Sequence, residues 1–513
     1  MVTVSSPDPL PDGLLDAFWR YDAALLSNDR ETLDALFAPG PDTLRGDGTT
    51  LLLGHEAIAG FRSGRAKIPT RRVVELQVRT VGEDAALVLA ATRDGAARGL
   101  QTQLWRRFNG QWLVTAAHVG MPAPAAAFDR TIWRTLGDPL VPAAESGPLD
   151  GLGIAVKDLF AVAGERIGAG VPAWLAEQAP EAESAPAVSA LLGAGAHVVG
   201  IARTDEFAYS LAGTNVHYGT PPNPAAPGGI SGGSSSGPAS AVALRHVPIG
   251  LGTDTGGSVR VPASYQGLVG LRTSHGAIPT TGVLPLAPSF DTVGWLTRDV
   301  ATSAAVAAVL LPDSTLTARR TLRLPTVEAL ARPDVRSEFG ATVDRFTSDG
   351  KLPVCEEIVL PAERLERWFT AFRTVQGWEA WQAHGSWITA HPGALGADVA
   401  GRFAQAAGIS SQDVLAARDV VIEARQELTR WLADSVLAIP TASGPALART
   451  ATASEIETAR GATLRMTCLA GLCGAPAVSL PLLRGTDGPA GLCLITAPGT
   501  DRGLLRLAER SDR

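Results

Sequence analysis

Residues 228–260 read GGISGGSSSGPASAVALRHVPIGLGTDTGGSVR, two glycine- and serine-rich stretches separated by one apolar run. Gly/Ser runs are commonly flexible linker. A linker, however, does not carry a buried segment in its middle. The 13 residues from Ala239 to Leu251 are mostly apolar and contain no glycine before Gly250. The pattern is therefore a loop, a helix or strand, and a second loop ending at Ser258. Glycines on both sides let two serines approach each other without side-chain obstruction.

The rest of the chain bounds what such a pair of loops can serve. At 513 residues the chain exceeds what one core usually organises, and length alone suggests two to four domains. A net charge of -7 and the absence of a basic stripe argue against nucleic acid as a partner and for small-molecule chemistry. Cys355, Cys468, Cys473 and Cys493 form no C-x-x-C pair and histidine is sparse, so neither a metal site nor a disulfide framework is indicated. No cofactor motif stands out. The opening residues lack the pattern of a signal peptide, and no 18-residue apolar run follows, so a cytoplasmic protein that does not enter membranes is expected. Of 44 basic residues only Lys67, Lys157 and Lys351 are lysine; the other 41 are arginine. A lysine kept in such a chain is a candidate for what arginine cannot do, which is to titrate near neutral pH.

Two textures divide the sequence. Residues 1–121 predict an α+β unit: an amphipathic helix through Leu14, Phe18 and Ala23, a second helix capped by Asn28 or Asp29, then strands at 73–80, 85–92, 98–107 and 112–119. Asn109-Gly110 marks a hairpin turn. A curved sheet wrapped around a helix is expected. Residues 122–127 read as a short linker, and 128–513 alternate strand and helix signals, the mark of an α/β fold with a mostly parallel sheet and helices on both faces. Residues 362–436 are rich in charge and tryptophan and predict a helical insertion.

Ser258 follows Gly256-Gly257, where backbone N–H groups can face a shared point and form an oxyanion hole. A serine nucleophile also needs a base. His197, His217, His246 and His275 are available, but none has a carboxylate at a telling position. Lysine is the other answer, provided burial or positive neighbours keep it neutral. Lys157 ends the apolar run Leu152–Val156 and so belongs at the C-terminal end of a strand, where open α/β sheets place their sites. A G-x-S-x-G elbow centred on Ser235 fails on context, because no strand precedes it.

The Lys157 segment, Ser234 in GGSSSG, and GTDTGGSVRVPAS around Ser258 together resemble the amidase signature family. Ser234 and Ser258 are 24 residues apart and Lys157 precedes Ser234 by 77, both in keeping with that family. SLAGTNVHYGTPPNP and SFDTVGWLTRD are most similar to members of the indole-3-acetamide amidase type. The resemblance implies an α/β/α sandwich over residues 128–513 and a Ser–Ser–Lys triad acting on a small amide, carbamate or ureido substrate. Ser258 would be the nucleophile, Ser234, after a cis peptide bond, the relay, and Lys157 the base. It further implies that the amides of Thr255, Gly256, Gly257 and Ser258 hold the oxyanion, and that Asp158, Ser235, Thr253, Asp254 and Arg260 support the site. Pro238 and Gln266 depart from the family pattern, though neither belongs to the triad.

FWRYDAALLSNDRETLDALF, GHEAIAGFRSGR and GQWLVTAAHVG resemble cone-shaped nuclear transport factor 2-like domains of the SnoaL type, in particular the AtzH-like group. That likeness implies a site on carboxylated ureas using Tyr21 and Arg45, with His118 and Trp19 lining the cavity. Both resemblances imply a homodimer. Two other readings stay open: some relatives of amidases have lost the triad and act as docking modules, and the main activity could reside in the N-terminal unit.

Overall fold

The computed structural model describes residues 2–47, 51–63, 71–94, 97–119 and 128–512, which form two compact units, 1–127 and 128–513. The linker expected at 122–127 lies outside the described residues.

In the first unit the elements are β1 (Thr3–Ser5), α1 (Leu14–Ser27), α2 (Arg30–Ala35), β2 (Leu44–Asp47), β3 (Leu51–Leu53), α3 (His55–Ser63), β4 (Arg72–Thr80), β5 (Ala85–Asp94), β6 (Ala97–Phe108) and β7 (Gln111–Val119). Asn28 ends α1 in the left-handed region (φ 55°), while the Asp29 side chain accepts the Thr32 amide at 3.1 Å and caps α2. Of the two candidates, Asp29 is therefore the cap of the second helix and Asn28 closes the first. Asn109 (φ 49°) and Gly110 (φ 83°) turn β6 into β7 as an Asn-Gly hairpin should. The sheet runs β1-β4-β5-β6-β7-β2-β3. Its inward positions, among them Leu76, Val78, Val88, Trp105 and Val114, form one core with Leu14, Phe18 and Tyr21 of α1.

The second unit is an α/β fold on an 11-stranded sheet. Its strands are β8 (Trp133–Val141), β9 (Gly153–Lys157), β10 (His197–Ala202), β11 (Ile249–Asp254), β12 (Val269–Arg272), β13 (Thr292–Thr297), β14 (Arg320–Arg323), β15 (Cys355–Glu357), β16 (Ser435–Pro440), β17 (Ala477–Gly485) and β18 (Gly488–Ile495). Their order is β15-β14-β16-β18-β17-β12-β13-β11-β9-β10-β8. The sheet is mixed. Parallel pairing joins β10, β9 and β11 at one end and β15, β14 and β16 at the other; the strands between are antiparallel.

The helices are α4 (Pro172–Glu177), α5 (Pro186–Gly193), α6 (Ser236–Ala243), α7 (Arg260–Gln266), α8 (Val300–Leu310), α9 (Pro325–Glu328), α10 (Pro333–Ser348), α11 (Ala362–Ala390), α12 (Ala397–Ala407), α13 (Ser411–Leu432), α14 (Ala453–Cys473) and α15 (Asp501–Asp512). Alternation along β9 decides which helix meets which face. Ile154 and Val156 join a core with Val188 of α5 and Val306 of α8, whereas Ala155 joins a second core with Ala239, Ala241 and Val242 of α6. Lys157, two residues beyond Ala155, belongs to the α6 face by the same alternation. The apolar run that separates the two serine loops is therefore both a helix, α6, and a strand, β11. The expected insertion is α11, α12 and α13, after which β16 re-enters the sheet. Trp368 is fully buried there and packs 6.0 Å from Trp431, so these rings build core.

Candidate active site

Two parallel strands and a helix bring the predicted residues together. β9 ends at Lys157, β11 runs on past Thr253 into the Thr255–Ser258 loop, and α6 starts just after Ser234. Close approach of the serine loop to β11 requires Gly252, since a Cβ there would lie 2.6 Å from Ser235 Oγ. Lys157 Nζ donates to Ser234 Oγ at 2.8 Å and to Thr253 Oγ1 at 2.9 Å, and the side chain is fully buried. Burial pushes the lysine down to about 7, against the upward pull of Asp205, Asp254 and Asp291. Ser234 follows a cis peptide bond from Gly233, and its carbonyl accepts Thr204 Oγ1 at 2.9 Å.

Ser258 is 3% exposed, and its carbonyl accepts the Ser235 amide at 3.1 Å, which ties the two serine loops. Among the described residues its hydroxyl makes no hydrogen bond to Ser234. In resting sites such links are often long and tighten only around a substrate. Gly257 departs from expectation: its amide donates to Asp254 Oδ1 at 2.9 Å, so it is already engaged. Thr255, Gly256 and Ser258 remain as candidate oxyanion donors.

Asp254 organises this loop. Besides Gly257 it accepts the amides of Val259 and Arg260, Arg260 Nε at 3.0 Å, Arg260 Nη2 at 2.7 Å and Arg272 Nη1 at 3.2 Å. All three side chains are fully buried. Although burial alone would raise its carboxyl, the two guanidinium groups hold it well below the usual carboxylate range. Asp158 is placed differently from Thr253 and Ser235. Its carboxylate turns to Arg134 Nε at 2.9 Å and the Gly168 amide at 2.9 Å, so it braces the 166–171 loop and does not contact the lysine.

Three residues near the site escaped sequence reasoning. Arg272 lies on β12, two strands from β11. Asp205 accepts Ser236 Oγ at 3.0 Å and the Gly213 amide at 2.9 Å and is pushed up to about 6 by burial. Asp291 accepts Thr255 Oγ1 at 2.5 Å. No local pattern marks any of them; each reaches the site only through the tertiary fold. Phe207 (φ 47°) and Ala208 (φ 58°) occupy the left-handed region beside the site, held by the Ala169 and Asp205 carbonyls. Strain of this kind persists where surrounding structure fixes it and concentrates at functional sites. Two cavities lie along the Thr253–Ser258 segment. One, of about 50 Å³, is lined by Thr253, Thr255 and apolar residues such as Leu159 and Leu284. The other is a throat of about 10 Å³ bounded by Gly256, Ser258, Tyr209, Gln376 and Arg460.

Comparison with known proteins follows the same outline. The amidase family profile matches residues 136–350 and an AtzH-like profile matches residues 4–124. Amidase 1 of Arabidopsis thaliana is 37% identical over 394 residues, which is 70% of this chain and 92% of that protein. The chain belongs to the amidase family. The outer envelope protein 64 of Arabidopsis thaliana chloroplasts is 32% identical over 390 residues, 70% of this chain and 65% of that one. A solved structure described as a vestigial protein complex bearing on the origins of an s-triazine catabolic enzyme is also similar, with a TM-score of 0.65, 26% identity, and 71% and 84% of the two chains covered. As an amidase-family protein with an AtzH-like domain, the chain is a C–N hydrolase.

The N-terminal residues cluster separately. Tyr21 is buried against Phe37 and Trp105, each 6.2 Å away, and burial raises its hydroxyl while Arg71, Arg62 and Arg45 pull it down. Arg45 is 9% exposed, with its guanidinium 4.3 Å over the Phe61 ring. Tyr21 and Arg45 thus share one environment. His118 does not, because a register shift in the β6–β7 pair leaves it exposed. Arg71 binds Asp22 at 3.0 Å and Gln101 Oε1 at 2.9 Å, while Arg71 Nη1, Gln101 Nε2 and Gln103 Nε2 are buried with no acceptor among the described residues. No described helix is long and apolar enough to cross a membrane, and no described cluster of three His, Cys, Asp or Glu could hold a metal ion.

Proposed function

We propose that the second unit hydrolyses the C–N bond of small linear amides through an acyl-enzyme on Ser258. The observation that carries this is the buried Lys157, pushed down to about 7 and 2.8 Å from Ser234 Oγ. Neutral Lys157 takes the Ser234 proton, Ser234 takes the Ser258 proton, and Ser258 Oγ bonds to the substrate carbonyl carbon. The amides of Thr255, Gly256 and Ser258 receive the developing oxyanion. As the intermediate collapses, the proton returns from Lys157 through Ser234 to the departing nitrogen. Water then attacks the acyl-enzyme with the same relay as base and releases the carboxylic acid. Aryl-acetamide-like amides, carbamates and ureido compounds all fit this chemistry.

The test is Ser258→Ala, assayed on a panel of primary amides, anilides and carbamates together with fluorophosphonate labelling. Loss of about a thousandfold or more in rate, and loss of the label, are expected. Hydrolysis of every cleaved amide at the original rate would overturn the assignment. Retention of all three residues, with Lys157 Nζ 2.8 Å from Ser234 Oγ, speaks against a docking module that has given up catalysis.

A second activity in the N-terminal unit is favoured by one observation. Arg71 Nη1, Gln101 Nε2 and Gln103 Nε2 are buried donors without an acceptor among the described residues, in a unit where three arginines act on the buried Tyr21 hydroxyl, an environment suited to a carboxylated urea.

A further inference from the structure

The throat over Ser258 adjoins a second, larger space. The two share Tyr209, Gln376 and Arg460, and the outer one, about 250 Å³, is walled by α11, α12 and α14. Arg373, Arg402 and Arg460 converge on it closely enough that all three act on the Tyr209 hydroxyl. Arg465 also lines it, but Glu366 holds that guanidinium at 2.7 and 3.0 Å.

The three remaining arginines are incompletely matched. Arg460 is 8% exposed in its side chain, pairs with Glu457 at 2.9 Å, and has a buried Nε without a partner among the described residues. Burial, then the neighbouring Arg402, pushes it down to about 10. Arg402 lies 3.4 Å from Asp398, 3.6 Å from the same Glu457, and donates to the Tyr209 carbonyl at 2.9 Å. Arg373 is exposed and has no ion pair among the described residues. Three guanidinium groups therefore face two carboxylates, which leaves one positive charge uncompensated beside an unsatisfied buried donor. A buried, unpaired donor on a cation is expensive to leave unmade. A monoanion with planar acceptor geometry answers the charge deficit, because arginine binds carboxylates through paired N–H groups. A phosphate would bring close to two negative charges where one is missing.

We infer that the amide cleaved here carries a carboxylate, which Arg373, Arg402 and Arg460 receive in the outer space while the amide reaches Ser258 through the throat. This rests on the amidase reading above and names its substrate class. The carboxylate would orient the chain and select it over neutral amides of equal length, so these arginines are specificity-determining residues with no part in bond breaking.

Binding separates this inference from the chemistry. In the full chain carrying Ser258→Ala, the affinity of ω-amide monocarboxylates with two to five methylenes is measured by titration calorimetry against the matched neutral alkanamides. At least one acid should bind about tenfold or more tightly than its neutral partner, an advantage that salt weakens. Arg373→Gln, at an exposed position that folding tolerates, should remove most of that advantage, and Arg460→Gln should do the same. Equal affinities, no binding of any acid, or an advantage untouched by both substitutions would each overturn the inference. Because the readout needs no turnover, an unreactive Ser258 would sink the amidase reading while leaving this measurement intact.

Discussion

Lys157 shows how one residue's environment is set by competing terms of known sign. Three carboxylates, Asp205, Asp254 and Asp291, favour its charged form, yet burial outweighs them and brings it down to about 7. A base in this range is half neutral near pH 7 and increasingly protonated below it. Under the proposed mechanism kcat/KM on a neutral amide should therefore fall tenfold per pH unit below about 7, and level off above. Lys157→Arg keeps a cation that stays protonated and should be inactive throughout. The pH profile between 5 and 9 checks this; a flat line down to pH 5 would remove lysine as the base. The scarcity of lysine made this position legible in the sequence. What it could not convey is Asp205 or Asp291, whose influence comes from loops folded against the strand ends and leaves no mark near Lys157.

The element that follows β11 is held by one carboxylate. Asp254 gathers the Gly257, Val259 and Arg260 amides and two buried guanidinium groups, so the loop that carries Ser258 and the first turn of α7 share an anchor. Asp254→Ala would leave Arg260 and Arg272 buried without their counter-charge. Breaking a buried pair from one side costs about 3–5 kcal/mol. Urea unfolding followed by far-UV circular dichroism should show that loss, whereas a change below about 1 kcal/mol would mean that water or other groups replace the carboxylate. Asp254 and Arg260, both in GTDTGGSVR, were each marked by the family resemblance as supporting the site, though not as partners of one another. Arg272 was not, because β13 lies between β12 and β11 and only the sheet order brings it to the carboxylate. Local chemistry was legible elsewhere: Asn109-Gly110 marked a hairpin, and Asn28-Asp29 a helix cap that the structure gives to Asp29. The throat and outer space were not, since α11, α12 and α14 reach Ser258 only through tertiary packing, and periodicity says which face of a helix is apolar but not what it meets.

At the scale of the whole chain, each unit closes its own core. Among the described residues, the buried N-terminal core lies within residues 14–117 and the buried cores of the second unit within residues 132–508. The proposed relay and the arginine-lined space also lie wholly within residues 157–465. A chain of 128–513 should thus fold alone and cleave the same amides at the full-chain rate, since domains with their own core can fold independently. Residues 1–127 should likewise melt cooperatively by themselves, and they are the half to assay on carboxylated ureas, with Tyr21→Phe and Arg45→Gln as controls. Turnover by this half, lost in both variants, would make the chain bifunctional. If instead 128–513 folds but cleaves nothing that the full chain cleaves, the N-terminal unit must contribute to the amidase site, and the placement of all its working residues between Lys157 and Arg465 would be wrong.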